Sequence, residues 1–440
     1  MIQALFLSSL IAPFTLMVIL GLSFFLRIPM YERWLSFTVK YFSLGMVAMG
    51  FTLWGLVWVH SPSEILLHYG SWIEVNEYSF ELPFIIDLLG ATYSLLTSCL
   101  IGIIFRFSRN YLHREEGYFR FTFLLTVLWL GLNIVCFARS LDLLFVGWEL
   151  VGTTSVLLIS YFYTQVQPVR HALKAIVSYR LCDMGILAAA AWSHHYLHST
   201  DFVALPKLLH HSEHGGVALL FIGIFVIFAS LAKAGQLPMS SWLPTAMEGP
   251  TPSSAIFYGA LSVHMGPFLL IRFHDYLDNF PSLLIAIGVI GGTSAVWATL
   301  VGRTRSDAKT MLGFATITQV GIMWIEIALG YTNFAMFHMV AHASLRTWQF
   351  LRSSSLIHDF FENPTVKQDV SIRRDLSFLK ILPPNARKKI YVHALHSFHL
   401  DYFTNRVIRG VSFPMKVIFI LEKKMMAWDN KVLARLLRKS

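Results

Sequence analysis

The sequence V-A-L-L-F-I-G-I-F-V-I-F-A-S-L-A-K-A-G-Q-L-P-M-S-S-W-L-P-T-A-M-E-G-P-T-P, residues 217–252, decides the fold of this chain. Its first part, 217–234, carries a single charge, Lys233, and about 20 mostly apolar residues suffice for a helix to cross a bilayer. Proline interrupts a helix, so the segment after Lys233 predicts a broken seventh helix at Pro238, Pro244, Pro250 and Pro252. Such breaks are tolerated at membrane depth only where protein or a wet cavity surrounds them.

The composition extends this interpretation to the whole chain. Its 440 residues are 55% hydrophobic and only 14% charged, whereas soluble domains carry roughly 25% charged residues. The three cysteines lie far apart and form no C-x-x-C pair, which excludes a disulfide scaffold. The sequence therefore predicts an all-α polytopic membrane protein.

Apolar stretches of sufficient length predict eleven transmembrane helices. They cover residues 2–26, 41–59, 84–105, 121–138, 143–163, 175–192, 217–234, 253–271, 283–301, 311–329 and 334–350. Basic residues follow the first, third, fifth and ninth spans, whereas the loop after the second span carries only acidic charges. The positive-inside rule then places the N-terminus outside and the tail on the cytoplasmic side. We predict that the membrane is the bacterial inner membrane. Alternating residues over 71–86 predict an outer hairpin.

The net charge of +10 comes from the C-terminal segment, since residues 361–440 hold 16 Lys and Arg against 6 Asp and Glu. Residues 410–421 predict an amphipathic helix along the cytoplasmic interface. This basic face suits anionic lipid or an acidic partner, and no nucleic-acid-binding fold accompanies it. We divide the chain into residues 1–80 (N-terminal helices and outer loop), 81–360 (helix bundle) and 361–440 (basic tail).

Ionisable residues inside the spans are costly and are functional candidates by default. Glu149 and Lys233 lie in separate apolar spans and predict a switchable acid–amine pair. Arg180 and Asp183 are three residues apart on one helix face, and a structural ion pair explains them equally well. The other candidates are His264, Glu326, His338, His342 and Arg346. Each candidate also has a structural alternative. His264 can simply satisfy an interhelical hydrogen bond, and Glu326 can reach water. His338, His342 and Arg346, which form one polar stripe on the eleventh span, can belong to a helix–helix contact.

Three motifs resemble the antiporter-like membrane subunits, which include the large proton-translocating subunits of respiratory complex I, Mrp-type antiporters and the membrane subunits of DAB-type inorganic-carbon transporters. These motifs are F-V-G-W-E-L-V-G (145–152), A-K-A-G-Q-L-P-x-x-x-W-L-P-x-A-M-E-G-P-T-P-x-S-A (232–255) and D-A-K-T-M-L-G-F-A-T-I-T-Q-V-G (307–321). F-H-x-x-x-H-A (337–343) and S-x-I-H (355–358) continue the similarity.

The resemblance implies that Glu149 and Lys233 form the switching pair of that family and that protons pass through buried polar groups. We therefore predict a proton pathway through Glu149, Lys233, Arg180, Asp183, Tyr258, His264, Lys309, His338, His342 and Arg346. Tyr258 stands where the family commonly has His, and Arg346 replaces a Lys. An arginine does not readily give up its proton. The family's G-F-x-S-K-D segment is not found after Phe360, so the second inverted repeat is expected to be incomplete.

The resemblance, together with these residues, implies three candidate functions. The preferred one is the proton-conducting subunit of a two-component inorganic-carbon transporter, whose soluble cytoplasmic partner binds zinc and resembles carbonic anhydrase. The others are a subunit of a complex I-like or hydrogenase-like assembly and a non-conducting scaffold. We expect no catalytic site, cofactor or metal in this chain. Metal binding by the loop histidines is a minor alternative. They are His194, His195, His198, His210, His211 and His214.

Overall fold

The structure is a computed structural model that describes residues 1–28, 30–60, 64–75, 78–211, 216–353, 383–400, 402 and 406. The elements in chain order are α1 (Ile2–Phe25), α2 (Glu32–His60), β1 (Ile65–Val75), β2 (Tyr78–Ile86), α3 (Leu88–Tyr111), α4 (Tyr118–Phe137), α5 (Leu141–Ile159), α6 (Val166–Leu197), α7 (Leu205–His211), α8 (Gly216–Ala234), α9 (Thr251–Arg272), α10 (His274–Leu277), α11 (Pro281–Gly302), α12 (Ala308–Ala328), α13 (Thr332–Ser353) and α14 (Pro384–Leu395).

The predicted helical membrane architecture is confirmed. Among the described residues, ten helices are long and apolar enough to cross a membrane, namely α1 to α6, α8, α9, α11 and α12. The predicted eleventh span is also a helix of 22 residues, α13, but the polar stripe that contains His338, His342 and Arg346 lowers its apolar content. The third span was predicted to begin at Phe84, whereas α3 begins at Leu88. Asp87 caps α3 by accepting a hydrogen bond from Gly90 N at 2.9 Å, so the residues from Phe84 to Ile86 remain in β2.

The predicted outer hairpin is present and longer than expected. Strands β1 and β2 pair antiparallel from Ile65↔Ile86 to Val75↔Tyr78, so the first strand begins before residue 71. The hairpin is fastened to the α4–α5 turn, where Arg139 N donates to Pro83 O at 3.1 Å. It is the one exception to an all-α description within the described residues.

Contacts between helix ends agree with the predicted alternation across the membrane. At the predicted inner side, His113 Nδ1 lies 2.8 Å from Glu32 Oε1, and His171 lies 3.2 Å from Glu248. At the predicted outer side, two part-buried ion pairs join separate helices, Arg139–Asp201 and Arg272–Asp87. Each of these contacts links residues that the positive-inside rule assigns to the same face.

The predicted break after Lys233 is present. Gly235 ends α8 with φ +60°, and the bonds from Gln236 N to Leu231 O and from Gly235 N to Ala232 O close a Schellman motif. Only a 3₁₀ turn, Leu243–Thr245, interrupts the irregular backbone before α9 begins. Gln236, Ser240 and Trp242 are all at most 1% exposed. Much of the irregular stretch is therefore enclosed by protein, while Pro238 and Glu248 are exposed.

Helix α9 contains a second irregularity that was not predicted. Its residues Ala255–Ala260 form a π-helical turn, and Ser262–His264 form a 3₁₀ turn. As a result His264 N bonds to Leu261 O at 3.1 Å, which releases the carbonyl of Ala260 from the regular helical pattern. Such π-turns are frequent at functional sites.

The described part of the tail contacts the predicted cytoplasmic side of the bundle. Helix α14 is followed by a short turn whose Ser397 O accepts a hydrogen bond from Trp297 Nε1 at 3.4 Å. The predicted interfacial helix at 410–421 and the sequence directly after Phe360 lie outside the described residues. The division into segments 1–80, 81–360 and 361–440 stays a prediction.

Candidate proton pathway

Four charged side chains meet where α5, α6 and α8 pack together, and we call Glu149, Arg180, Asp183 and Lys233 the charge cluster. Glu149 was predicted to face Lys233, but its Oε2 is ion-paired with the Arg180 guanidinium. Its side chain is 20% exposed, and its second oxygen is buried without a hydrogen-bond partner among the described residues. The predicted Glu149–Lys233 pair is therefore replaced here by a Glu149–Arg180 pair.

Lys233 lies at the end of α8 and is completely buried. Its Nζ donates to Trp148 O at 3.3 Å and lies 4.3 Å from the centre of the Tyr179 ring. Within the described part of the chain it forms no ion pair shorter than 4 Å. A buried ammonium held only by a carbonyl and aromatic faces is weakly compensated. This amine is therefore the group of the cluster best placed to lose and regain a proton.

Asp183, and not Glu149, is the acid nearest this amine. Asp183 is 2% exposed, and its Oδ1 accepts a hydrogen bond from Trp148 Nε1 at 2.6 Å. Its Oδ2 is buried with no hydrogen-bond partner in the described residues. Gly152 leaves space for the amine, because a Cβ at this position would lie 2.6 Å from Lys233 Nζ and 3.9 Å from Asp183 Oδ2.

The sequence placed Arg180 and Asp183 together, and the structure separates them. Residues three apart on a helix differ by about 60° around its axis. Arg180 turns toward Glu149 and donates to Thr153 Oγ1 at 3.2 Å, whereas Asp183 turns toward Trp148 and Lys233. The cluster thus consists of two acids and two cations whose pairing can be exchanged by small side-chain movements.

Buried hydroxyl and aromatic groups continue from Lys233 toward α9. The Tyr179 ring contacts Trp242 at a centroid distance of 4.7 Å, and Trp242 lies 5.9 Å from Tyr258. The Tyr258 hydroxyl donates to Ala246 O at 2.8 Å, so this residue fastens the broken segment to α9. Several nearby buried polar atoms lack a hydrogen-bond partner among the described residues, namely Gln236 Oε1, Ser240 Oγ, Ser241 Oγ and Ser254 Oγ. Unsatisfied hydroxyls at this density are typical of a hydrated route.

The histidine chain, which consists of His264, His342 and Arg346, links α9 to α13. His264 Nδ1 contacts the released carbonyl of Ala260, and its Nε2 lies 2.9 Å from His342 Nδ1. Arg346 Nε donates to His342 Nε2 at 3.2 Å. A carbonyl at one end and a guanidinium at the other assign the protons, with each histidine carrying hydrogen on Nδ1. The chain is therefore a continuous and directional hydrogen-bond path between neutral imidazoles.

His338 was predicted to belong to the same stripe but has different partners. Its Nδ1 lies 2.8 Å from Glu326 Oε1, and its Nε2 lies 3.0 Å from Gln319 Oε1. Both partners lie on α12, so His338 connects α13 to α12, whereas His342 connects α13 to α9. Glu326 was expected to reach water, but its side chain is only 12% exposed.

Lys309 does not join the buried groups. It is half-buried in the first turn of α12, next to the cap in which Thr310 N donates to Asp307 Oδ2 at 2.7 Å. Sequence reasoning missed Trp148 and Tyr179, which contact Lys233, and Gly152, which leaves room for its amine. One sequence feature could have found two of these residues. Trp148 and Gly152 are four residues apart on α5 and therefore lie on one face of this helix.

No cluster of three or more His, Cys, Asp or Glu among the described residues suits a metal ion. His194, His195 and His198 end α6 or follow it on the predicted outer side. The side chains of His210 and His211, together with the whole of His214, lie outside the described set.

The fold and this buried polar path define an antiporter-like multi-pass membrane subunit. Residues 138–377 match the family described as NADH:quinone oxidoreductase/Mrp antiporter, TM, and residues 72–122 match NADH-Ubiquinone oxidoreductase (complex I), chain 5 N-terminus. The chain belongs to this NADH:quinone oxidoreductase/Mrp antiporter family. An inner bacterial membrane is consistent with that membership.

Similar proteins include subunits of NADH-ubiquinone and NAD(P)H-quinone oxidoreductases. NADH-ubiquinone oxidoreductase chain 5 of Pongo abelii is 30% identical over 71% of this chain and 50% of its own length. The chloroplastic NAD(P)H-quinone oxidoreductase subunit 5 of Glycine max is 32% identical over 66% of this chain and 39% of its own. The chain thus spans about half the length of the curated relatives it matches.

Two solved structures share the fold. The Mrp complex from a Dietzia species matches with a TM-score of 0.68 and 22% identity, covering 81% of this chain and 38% of the other. The archaeal membrane-bound sulfane sulfur reductase, a respiratory membrane complex, matches with a TM-score of 0.68 and 19% identity over 80% of this chain and 70% of the other.

Proposed function

We propose that this chain conducts protons through the membrane as one subunit of a larger assembly and couples their movement to work done by a partner. The observation that carries this proposal is the completely buried Lys233, which lies at a broken helix between one acid without a cation and one acid already paired. Exchange of partners within the charge cluster changes which acid compensates the amine. That change alters how readily Lys233 holds a proton.

The position of Arg180 supports a partner within the membrane. This residue lies near the middle of α6, yet its side chain is 46% exposed on the surface of the bundle. The neighbouring residues on that face, Met184 and Leu187, are 64% and 49% exposed. An arginine facing hydrocarbon at mid-membrane is costly. A transmembrane partner over this face would shield the Glu149–Arg180 pair and give the partner direct electrostatic access to the cluster.

We favour a two-component inorganic-carbon transporter as the particular assembly. Its second component would be a soluble zinc-binding protein similar to carbonic anhydrase, bound to the basic cytoplasmic side, where α14 and Ser397 contact the bundle. The alternative is a respiratory assembly, which is favoured by the names of the relatives. A non-conducting scaffold is the third candidate, because Arg346 cannot relay protons by titration.

Copurification followed by reconstitution tests these proposals. The assembly is purified through this chain, its other subunits are identified, and proton flux is measured in proteoliposomes. We expect Lys233→Gln to abolish flux, while Lys207→Gln, a change at an exposed lysine on the short helix α7, leaves flux unaltered. Unchanged flux in Lys233→Gln would overturn proton conduction through the cluster. A zinc protein and bicarbonate-dependent flux support the carbon transporter, whereas iron–sulfur and quinone-binding subunits support the respiratory alternative.

A further inference from the structure

A large groove separates the inner ends of α1, α4 and α5. Its volume is about 1260 Å³, which exceeds the roughly 300–1,000 Å³ of most small-molecule pockets. Aromatic rings form its walls, and Phe24 of α1 stacks on Phe119 of α4 at a centroid distance of 6.2 Å. Because these helix ends carry the basic flanks of the cytoplasmic side, the groove lies at the depth of lipid headgroups.

One end of the groove has the features of a phosphate site. Helix α4 begins there after Gly117 without a side-chain cap, so the positive end of its dipole faces the groove. Arg27 and Arg120 both line it. Arg120 is fixed in place, because its Nη2 donates to Tyr161 O at 2.7 Å and its guanidinium lies 4.6 Å from the centre of the Tyr163 ring.

A buried hydroxyl provides an independent sign of a ligand. Tyr161 is 2% exposed and lines the groove, and its hydroxyl lies against Gly117 with no hydrogen-bond partner among the described residues. Burial raises the pKa of Tyr161 to about 12, Glu115 acts in the same direction, and Arg120 opposes both. The phenol therefore keeps its proton at neutral pH and is a buried hydrogen-bond donor at the edge of the groove, without an acceptor among the described residues.

Acidic side chains flank these basic groups. Glu115 and Glu116 also line the groove, and both are exposed. Two acids beside two arginines disfavour an anionic headgroup, because the carboxylates repel a second negative charge. The same carboxylates accept hydrogen bonds from a primary ammonium, which a quaternary ammonium cannot donate.

We propose that this groove binds a phospholipid with an amine headgroup, of the phosphatidylethanolamine type. The phosphate lies at the start of α4 between Arg27 and Arg120, the ammonium faces Glu115 and Glu116, and the acyl chains lie between the aromatic walls. This lipid holds α1 against α4 and α5 at the inner membrane surface.

Lipid competition in nanodiscs tests the proposal. The purified assembly is reconstituted with equal amounts of phosphatidylethanolamine, phosphatidylcholine and phosphatidylglycerol of matched chains, and retained lipids are counted by native mass spectrometry. We expect phosphatidylethanolamine to exceed phosphatidylcholine by about threefold, the modest preference that exposed charge pairs provide. The double variant Glu115→Gln/Glu116→Gln should bring that ratio to about one while phospholipid is still retained, since the exposed-pair preference is then lost.

The remaining variants separate headgroup selection from a general loss of structure. Arg27→Gln and Tyr161→Phe should lower retention of both zwitterionic lipids, whereas Arg106→Gln, at an exposed arginine near the inner end of α3, should not. Preferential retention of phosphatidylglycerol, equal retention of the amine and choline lipids by the unaltered chain, or a partner's transmembrane helix in the groove with no lipid would each overturn the proposal.

Discussion

The charge cluster and the histidine chain differ in how their buried polar groups are compensated by neighbouring groups. In the charge cluster, Trp148 contacts both Asp183 and Lys233, and Lys233 has no ion-pair partner within 4 Å in the described structure. In the histidine chain, neutral rings are fully hydrogen-bonded to one another and end at an arginine. The proposed storage and release of a proton belongs to the first region, and the proposed relay along a fixed direction belongs to the second. Only the first is therefore suited to switching.

The largest effect is expected from removal of the amine of the charge cluster. Lys233→Gln should lower proton flux at least about tenfold, which corresponds to a barrier increase of ~1.4 kcal/mol or more. Lys233→Arg is the matched control for charge, because it keeps the cation but does not release its proton. We expect Lys233→Arg to assemble normally and also to lose flux, as measured with a pH-sensitive dye in proteoliposomes. If Lys233→Arg conducts at the original rate, the switching role of this region is wrong.

A double-mutant cycle distinguishes the observed pairing from the predicted one. We expect Glu149→Gln and Arg180→Gln each to reduce flux several-fold and their combination to be no worse, with a coupling of about 0.5–3 kcal/mol for contacting residues. The same cycle for Glu149→Gln and Lys233→Gln serves as the comparison. A larger coupling in this second cycle would show that Glu149 faces Lys233 during transport, so the present pairing would be one of two alternatives.

A smaller effect is expected from filling the space that Gly152 leaves for the amine of Lys233. The new methyl group in Gly152→Ala would lie 2.6 Å from Lys233 Nζ, and the end of this flexible side chain can move without unfolding the bundle. Flux should fall about threefold, as for a barrier change below ~1 kcal/mol. Gly55→Ala is the control, because a Cβ there has no neighbour within 4 Å. Equal flux in both variants would mean that the position of the amine is not critical.

The smallest change is expected in the histidine chain. Arg346→Lys restores a cation that can titrate, and at neutral pH it should alter flux by less than about twofold, because a lysine there is still protonated. At alkaline pH the variant loses its charge while the arginine keeps it, so flux of the variant should fall more steeply with pH. Flux is measured between pH 7 and 10 for both proteins. Identical profiles would show that the charge at this end of the chain does not influence conduction.

The polar residues of α13 show which part of the site could be predicted from the sequence. The spacing of His338, His342 and Arg346 correctly placed all three on one helix face. It could not show that His338 bonds to α12 while His342 bonds to α9, because that depends on how three helices are packed. The π-turn that frees Ala260 O was equally hidden, since nothing in its local composition distinguishes it from regular helix.

Local sequence patterns predicted the helical membrane architecture, the outer hairpin, the break after Lys233 and most of the buried charged residues. These features follow from local quantities, namely the length of apolar runs, alternation and the position of prolines. The arrangement of acids and cations depends instead on how the helices pack against one another. Arg180 and Asp183 point about 60° apart around the axis of α6, so Arg180 faces Glu149 and Asp183 faces Lys233. Which neighbours they face depends on the relative rotation of the packed helices.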